Sequence, residues 1–157
     1  MGCIELTNDY QFMTSVLNDA EMSERVNEGD DRLLFNDEIV RKMGDQGYLL
    51  GWYVDGEITG FYWVHGYMQS MLQIHAHFPL SNRKHSRGSG AEMLRWLRDN
   101  APDQYQKFVA YIPVCYPDVI GFSKREGLSH EGFLTKAFNK GGNMIDLCIL
   151  GACRGAL

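Results

Sequence analysis

The clearest pattern in the chain is an alternation of apolar and polar positions that predicts a β-hairpin near its middle. Two runs rich in β-branched and aromatic residues, 48–54 and 57–65, flank the dipeptide Asp55-Gly56. A two-residue connection of this kind favours a type I′ turn, because both central positions need positive φ. The aromatic side chains of the two runs are interpreted as packing alternately into a sheet core, with a pocket lining as the alternative.

Apolar periodicity and the positions of Gly and Pro predict the remaining elements. Helices are expected from residues 7–9 to about 20, from 36 to 44, from 90 to 100 and from 118 to 126; strands are expected at 3–6, 68–78, 107–114, 129–139 and 144–150. The helix from 36 to 44 is expected to turn Ile39, Val40 and Met43 inward. The acidic stretch 21–32 is interpreted as a mobile, solvated connection with room for a helical turn, and the alternative is a segment that closes over a cationic ligand.

Composition limits the classes of protein to consider. A chain of 157 residues is long enough for one domain with a sizeable core. The formal net charge of -5 argues against nucleic-acid binding, which needs Lys and Arg spread over a face. The four cysteines form no Cys-x-x-Cys pair, so we expect no metal site and take a reducing cytoplasm as the simplest location. No apolar run is long enough for a membrane span, and the first residues lack the features of a signal peptide.

A basic loop with two glycines runs directly into an amphipathic helix at residues 85–97. The first N–H groups of a helix have no internal partner and carry partial positive charge, so they can hold a phosphate. Gly88 and Gly90 let the backbone approach a ligand because they have no Cβ. Five basic residues between positions 83 and 98 face a single acid: they are Arg83, Lys84, Arg87, Arg95 and Arg98, and the acid is Glu92. We therefore predict a site for one phosphorylated ligand, although the loop matches neither a P-loop nor a dinucleotide fingerprint.

His85-Ser86-Arg87-Gly88-Ser89-Gly90 resembles the acyl-CoA loop of the GNAT superfamily of N-acyltransferases, written Gln/Arg-x-x-Gly-x-Gly/Ala and followed by a helix. Residues 116–128 resemble the family segment Asn-x-x-Ala-x-x-Phe-Tyr-x-Lys-x-Gly-Phe, with Phe122, Gly127 and Leu128 in register. The predicted order β-α-α-β-β-β-α-β-α-β-β matches the GNAT order throughout. The resemblance implies a single α+β domain over residues 1–157, in which a mixed, mostly antiparallel sheet carries helices on both faces.

The same resemblance implies that acetyl-CoA binds as the acyl-donor cosubstrate. In the family the loop amides hold the pyrophosphate, and the acyl-pantetheine arm lies where the fourth and fifth strands splay apart. The residues expected to bind the cosubstrate are Phe78, Leu80, His85, Ser86, Arg87, Gly88, Ser89 and Gly90. Around the splay, Phe78 and Leu80 are preferred because Pro79 has no N–H to donate.

Three residues are expected to carry the chemistry, namely Tyr116, Ser123 and His77. Ser123 stands where the family has the Tyr often assigned to protonate the departing thiolate, and Tyr116 stands at the family's Asn. Either Tyr116 donates this proton, or Ser123 does so directly or through a water, or the site has lost catalysis. His77 is the candidate general base because histidine titrates near neutral pH. Its alternatives are a structural, hydrogen-bonded histidine and a water chain that takes the proton instead.

Three functions follow in order of preference. The first is the transfer of an acetyl group from acetyl-CoA to a primary amine of a small molecule or protein. The second is a catalytically silent GNAT-fold domain that binds CoA or a protein partner, supported by Ser123 in place of the family Tyr. The third is an unrelated α+β interaction module whose glycine-rich helix start is only a cap. The amine acceptor stays unspecified, neither nucleic acid nor membrane is expected as a partner, and a homodimer is left open.

Overall fold

A computed structural model describes residues 1–26, 28 and 34–157 of the chain. The strands are β1 (Gly2–Leu6), β2 (Gly47–Val54), β3 (Glu57–Met68), β4 (Met71–His77), β5 (Lys107–Pro113), β6 (Ser129–Lys140) and β7 (Asn143–Cys153). The α-helices are α1 (Tyr10–Asn18), α2 (Ala20–Val26), α3 (Asp37–Asp45), α4 (Ser89–Asn100) and α5 (Pro117–Arg125), and short 3₁₀ helices lie at Leu80–His85 and Arg154–Ala156. None of the described helices is both long and apolar enough to cross a membrane.

The predicted hairpin is confirmed. β2 and β3 pair in antiparallel fashion, with Val54 opposite Glu57 at the closed end. Asp55 and Gly56 have φ values of 52° and 82°, the positive angles that a type I′ turn requires. A Cβ added to Gly56 would meet no atom within 4 Å, so backbone conformation rather than space favours glycine there.

All seven strands form one sheet in the order β1-β2-β3-β4-β5-β7-β6. β4 and β5 are parallel, whereas the other described pairs are antiparallel. The parallel pairing covers three residue pairs: Met71 with Lys107, Leu72 with Phe108 and Gln73 with Val109. Beyond them β4 continues to His77 and β5 to Pro113 outside this register. The two strands therefore splay apart at the carboxyl end of β4, where the sequence predicted a splay.

Helices cover both faces of the sheet, because successive side chains of a strand point to opposite faces. Phe61 of β3 packs with Met13 and Val40 in a cluster under α1 and α3. The next residue, Tyr62, belongs to the larger cluster on the other face, together with Leu94 of α4. The predicted fold class, a mixed and mostly antiparallel sheet with helices on both faces, is confirmed.

Some local predictions were wrong. The stretch interpreted as a mobile connection contains α2, so three helices precede β2 instead of two; the rest of that stretch, apart from Glu28, lies outside the described residues. Ile39, expected to point inward, is 41% exposed because Val40 takes the buried position on α3. The strand expected at 68–78 is divided, since Met68 ends β3 and β4 begins at Met71.

Candidate active site

The splay between β4 and β5 opens into a cavity of about 820 Å³. The carboxyl-terminal halves of both strands, the first turns of α4 and one face of α5 form its walls, and Arg25 of α2 and Glu28 also line it. Small-molecule sites in proteins usually measure roughly 300–1,000 Å³, so this cavity is large enough for a cosubstrate-sized ligand. Among the described residues, no group of three or more His, Cys, Asp or Glu side chains is placed to hold a metal ion.

The N-terminus of α4 binds an anion that belongs to the protein itself. The N–H of Gly88 donates to Oε1 of Glu126 at 3.0 Å, and the N–H groups of Gly90 and Ala91 donate to Oε2 at 2.9 and 3.3 Å. Gly88 caps the helix in the left-handed region, with φ 86°. A Cβ on Gly90 would lie 2.6 Å from Cβ of Glu126, so a glycine is needed for this close approach. These amides therefore form an anion site, and the carboxylate of Glu126 occupies it.

The first half of the predicted loop is held by contacts to its own carbonyl groups. The indole N–H of Trp52 donates to the carbonyl of His85 at 2.7 Å. The hydroxyl of Ser86 donates to the carbonyl of Arg83 at 2.7 Å. The side chain of Arg87 is exposed. Trp52 and Ser86 therefore shape the backbone that leads into the anion site, and Arg87 remains at its solvent side.

A buried pair of hydroxyl groups fixes the first turn of α4 against the sheet. Oη of Tyr62 lies 2.7 Å from Oγ of Ser89, and either group can donate. Burial raises the pKa of Tyr62 well above its ordinary value, so the phenol keeps its proton at neutral pH. The backbone N–H of Ser89 donates to the carbonyl of Ser86 at 3.0 Å. Both the hydroxyl and the backbone N–H of Ser89, a predicted cosubstrate-binding residue, are therefore engaged in hydrogen bonds within the protein.

His77 is buried in the cavity wall with neither ring nitrogen bonded to any described residue. Its side chain is 5% exposed, and its ring stacks on Phe61 with 4.8 Å between the centroids. Burial, with a smaller contribution from His75, lowers the pKa of His77 to about 3. The ring is therefore neutral at pH 7. A buried polar group without a partner is costly and uncommon, which marks His77 as a candidate for contact with a ligand.

A second pair of histidines lies beside this wall. The Nε2 atoms of His65 and His75 are 3.0 Å apart. Because Nδ1 of His65 lies 3.0 Å from the carbonyl of Gly66, which can only accept, His65 carries its proton on Nδ1 and accepts from Nε2–H of His75. Burial, together with the neighbouring His65, lowers the pKa of His75 to about 4. His75 is therefore neutral at pH 7, and its hydrogen bond with His65 orients its ring along the cavity wall.

One face of α5 brings both candidate proton donors into the cavity. Tyr116, Val119, Ser123 and Glu126 all line it, as expected for residues three or four positions apart on a helix. At 1.5 Å per residue, Ser123 lies about 4.5 Å along the helix axis from Glu126, and Tyr116 lies about 15 Å away. Ser123 is therefore close to the anion site, and Tyr116 is at the far end of the cavity.

Two cations lie close to the ring of Tyr116. The guanidinium carbon of Arg25 is 4.7 Å from the ring centroid, and Nζ of Lys140 is 5.6 Å from it. The hydroxyl donates to the carbonyl of Glu24 at 3.5 Å, a long hydrogen bond. Cations stacked on an aromatic ring fix its position. Tyr116 is therefore held in place, while its hydroxyl is only weakly engaged.

Two arginines share one carboxylate near the mouth of the cavity. Nη1 of Arg83 donates to Oδ2 of Asp118 at 3.0 Å, and Nη1 of Arg25 donates to the same oxygen at 3.1 Å. Arg83 is one of the residues that made the loop region basic in the sequence. Because Asp118 pairs with Arg83, the charge of Arg83 is already partly compensated inside the protein. The exposed Lys84 and Arg87 are the basic residues left at the loop.

The predicted site residues fall into two groups. The cavity is lined by His77, Phe78, Ser86, Gly90, Tyr116 and Ser123. Gly88 contributes its N–H to the anion site at the edge of the cavity. Leu80, a predicted cosubstrate-binding residue, is 55% exposed, begins a 3₁₀ helix and is not among the lining residues. His85, Arg87 and Ser89 are likewise not among the lining residues.

Sequence reasoning missed three residues of the site, Glu126, Arg25 and Tyr62. Glu126 directly precedes Gly127 in the segment 116–128, so a signal was available: an acid follows two basic residues at a helix end, where acids are unfavourable. Arg25 was assigned to a solvated acidic stretch, and Tyr62 to the sheet core. Only the fold brings Glu126 within hydrogen-bond distance of a loop that lies 36 to 38 residues earlier.

Comparison with solved structures identifies the fold. A spermidine N-acetyltransferase from Vibrio cholerae, solved in complex with CoA and spermine, superposes with a TM-score of 0.79 at 11% identity, covering 98% of this chain and 96% of that one. A ribosomal-protein-alanine N-acetyltransferase from Brucella melitensis gives 0.75 at 15% identity, covering 96% and 98%. A GNAT-family acetyltransferase from Streptococcus pneumoniae gives 0.74 at 14% identity, covering 98% and 99%. No protein-family model matches the sequence, and no curated protein matches it either.

The chain therefore has the fold of the GNAT N-acetyltransferases over nearly its whole length. The splayed fourth and fifth strands and the glycine-containing start of α4 occur in the order that the sequence motifs indicated.

Proposed function

We propose that this protein is an acyl-CoA-dependent N-acyltransferase that transfers an acetyl group from acetyl-CoA to a primary amine. The observation that carries the proposal is the start of α4, where three backbone amides bind a carboxylate at one end of the cavity. A pyrophosphate offers the same type of oxygen acceptor with more charge. A protein of the same fold was solved with CoA and spermine, which supports CoA as the cosubstrate.

The residues present fit such a ligand in three respects. Gly88 and Gly90 place backbone amides where a Cβ on Gly90 would fill the space. Lys84 and Arg87 are exposed beside the loop and can pair with phosphate groups. Beyond Gln73, the edge of β4 that faces β5 leaves the parallel register, so its backbone groups can pair with an extended arm that carries amides.

The chemistry requires four changes at the reacting atoms. The amine loses a proton, its nitrogen bonds to the thioester carbonyl carbon, the carbon–sulfur bond breaks, and the sulfur gains a proton. We assign His77 to accept a hydrogen bond from the amine, since its ring is neutral and its buried nitrogens have no partner among the residues that the structure describes. A pKa of about 3 means that the ring does not retain the proton at pH 7, so water carries it onward. Tyr116 and Ser123 are the two candidates to protonate the sulfur.

Calorimetry and a thiol-release assay test this proposal. Acetyl-CoA, CoA and ADP should all bind, because they share the pyrophosphate, and free thiol should appear when acetyl-CoA is mixed with an accepted amine. The amine panel should include polyamines, peptides with free N-termini and small amino compounds. Binding of none of the three nucleotides would refute the proposal.

The second candidate is a domain that binds CoA without catalysis. One observation favours it: a serine stands at position 123, where the family pattern has the Tyr often assigned to protonate the thiolate. Tight CoA binding with no thiol release on any amine of the panel would select this function over the enzyme.

A further inference from the structure

The carboxylate of Glu126 is bound at the start of α4, where we propose that a phosphate group of the ligand binds. Glu126 is 8% exposed and accepts hydrogen bonds from Gly88, Gly90 and Ala91. These are N–H groups of the first turn of α4, which no intrahelical carbonyl can satisfy. The protein thus supplies its own anion to the positive end of the helix.

An external phosphate needs these same donors. Each backbone N–H has one hydrogen, and two anions so close together repel each other in a site with little solvent. The carboxylate and a phosphate therefore exclude one another. Binding requires Glu126 to leave the amides first.

The surroundings of Glu126 allow this movement. Its side chain lines the cavity, so it has open space on one side. Its Cβ is confined, because the backbone of Gly90 lies directly against it. The torsions beyond Cβ can still turn the carboxylate away from α4 while α5 stays in place. His77 and Ser123 also line this cavity.

We infer that Glu126 is an internal competitor that holds the anion site of α4 closed until a ligand with a more highly charged phosphate group displaces it. This inference rests on the proposed function, because it concerns the same loop. It also implies specificity. A singly charged anion that replaces a carboxylate would form hydrogen bonds of similar strength, whereas a pyrophosphate brings more charge and more acceptor oxygens and would bind more strongly. If Glu126 leaves the amides free in only a small fraction of the molecules, the apparent affinity for the ligand is reduced in proportion to that fraction.

The test compares the parent protein with Glu126→Ala, Glu126→Gln and the matched control Glu92→Gln. Glu92 lies in the same first turn of α4 but pairs with Arg95 at the surface, so its substitution removes the same charge without touching the anion site. ADP, CoA and inorganic pyrophosphate are titrated by calorimetry. Glu126→Ala should bind all three about ten- to a hundredfold more tightly than the parent, with a smaller gain for Glu126→Gln, and Glu92→Gln should match the parent to within about twofold.

Thermal melts of the free proteins accompany the titrations, since Glu126→Ala also removes a helix cap and should melt at a lower temperature. If that variant does not fold, Glu126→Gln decides alone. Unchanged or weaker affinity in both Glu126 variants overturns the inference, and the proposed function then stands if the parent still releases thiol. Tighter pyrophosphate and ADP binding without any CoA binding supports the inference and removes the proposed function. Equal gains in Glu126→Gln and Glu92→Gln would mean that only general charge matters, which also overturns the inference.

Discussion

The ring of His77 shows how a single residue can reveal a site. It is buried against Phe61, both of its nitrogens lack a hydrogen-bond partner among the described residues, and the residue lines the cavity. Protein folding tolerates such a group only at a cost, because the hydration it loses is not replaced. A buried group left unpaired despite that cost is a candidate for contact with a ligand.

Replacing His77 by Phe should therefore change stability and activity in opposite directions. The ring stack on Phe61 is retained while the unsatisfied nitrogens are removed, so the free energy of unfolding should rise by about 1 kcal/mol or more. The turnover rate should fall at least about tenfold, because the amine loses the group that positions it. Denaturant titration and thiol release measure the two effects. His130→Phe, at an exposed histidine outside the cavity, should alter neither activity nor stability appreciably.

Tyr116 and Ser123 can be separated by their effects on the departing sulfur. If Tyr116 is the donor, Tyr116→Phe should lower the turnover rate by roughly two to four orders of magnitude with little change in CoA affinity, and Ser123→Ala should be mild. If Ser123 is the donor, the two effects exchange. Steady-state kinetics on both variants decides the matter. Equal rates in the parent and both variants would remove both residues from the catalytic list.

At the scale of elements, α2 closes one side of the cavity. Arg25 bonds to Asp118 on α5, and Lys140 at the end of β6 bonds to the carbonyl of Glu24 at 2.9 Å and lies 3.3 Å from its carboxylate. Both cations also face the ring of Tyr116. α2 is thus fastened to α5 and to β6 along one side of the cavity, through which we propose that the acceptor enters.

Weakening the contacts of α2 should affect the binding of the amine more than the binding of the cosubstrate. Arg25→Ala should raise the KM for the amine several-fold and leave the Kd for CoA nearly unchanged, because Arg25 lies away from the anion site. The loss of stability should be about 1 kcal/mol or less, since exposed ion pairs contribute little. Arg41→Ala is the control, because Arg41 pairs with Glu38 and Asp45 on α3. A change in CoA affinity with an unchanged amine KM would contradict this role for α2.

At the scale of the whole molecule, the buried histidines make stability depend on pH. His75 and His77 have folded pKa values lowered to about 4 and about 3, against an ordinary value of 6.5. Below pH 6.5 the unfolded chain therefore binds protons that the folded protein does not, and stability falls with the pH.

Between pH 6.5 and 5, before most carboxylates titrate, the free energy of unfolding should fall as the pH is lowered. For each of these histidines the slope should approach about 1.4 kcal/mol per pH unit. His77→Phe should remove roughly half of this dependence. Denaturant titrations at several pH values measure it. A parent protein whose stability does not change over this range would show that the two rings are solvated in solution.

The sequence by itself determined the features that depend on near neighbours. The type I′ turn at Asp55-Gly56 follows from residues that accept positive φ, and α4 follows from the spacing of Met93, Leu94 and Leu97. The element order and the glycine-containing helix start, from which the fold resemblance was drawn, are local in the same sense. Their physical causes act over a few residues, so they can be read along the chain.

The tertiary structure alone decided what occupies the site. Glu126 reaches the amides of Gly88 and Gly90 because α5 packs beside the start of α4. The fold also leaves His77 without a hydrogen-bond partner in the described part of the chain, and it ties Arg83 to Asp118. Burial, pairing and the resulting pKa shifts depend on groups that are far apart in sequence. The pattern of apolar and polar positions does not predict which of these groups will come into contact. The sequence therefore predicted an anion site at the start of α4, and the fold supplied the carboxylate of Glu126 that fills it.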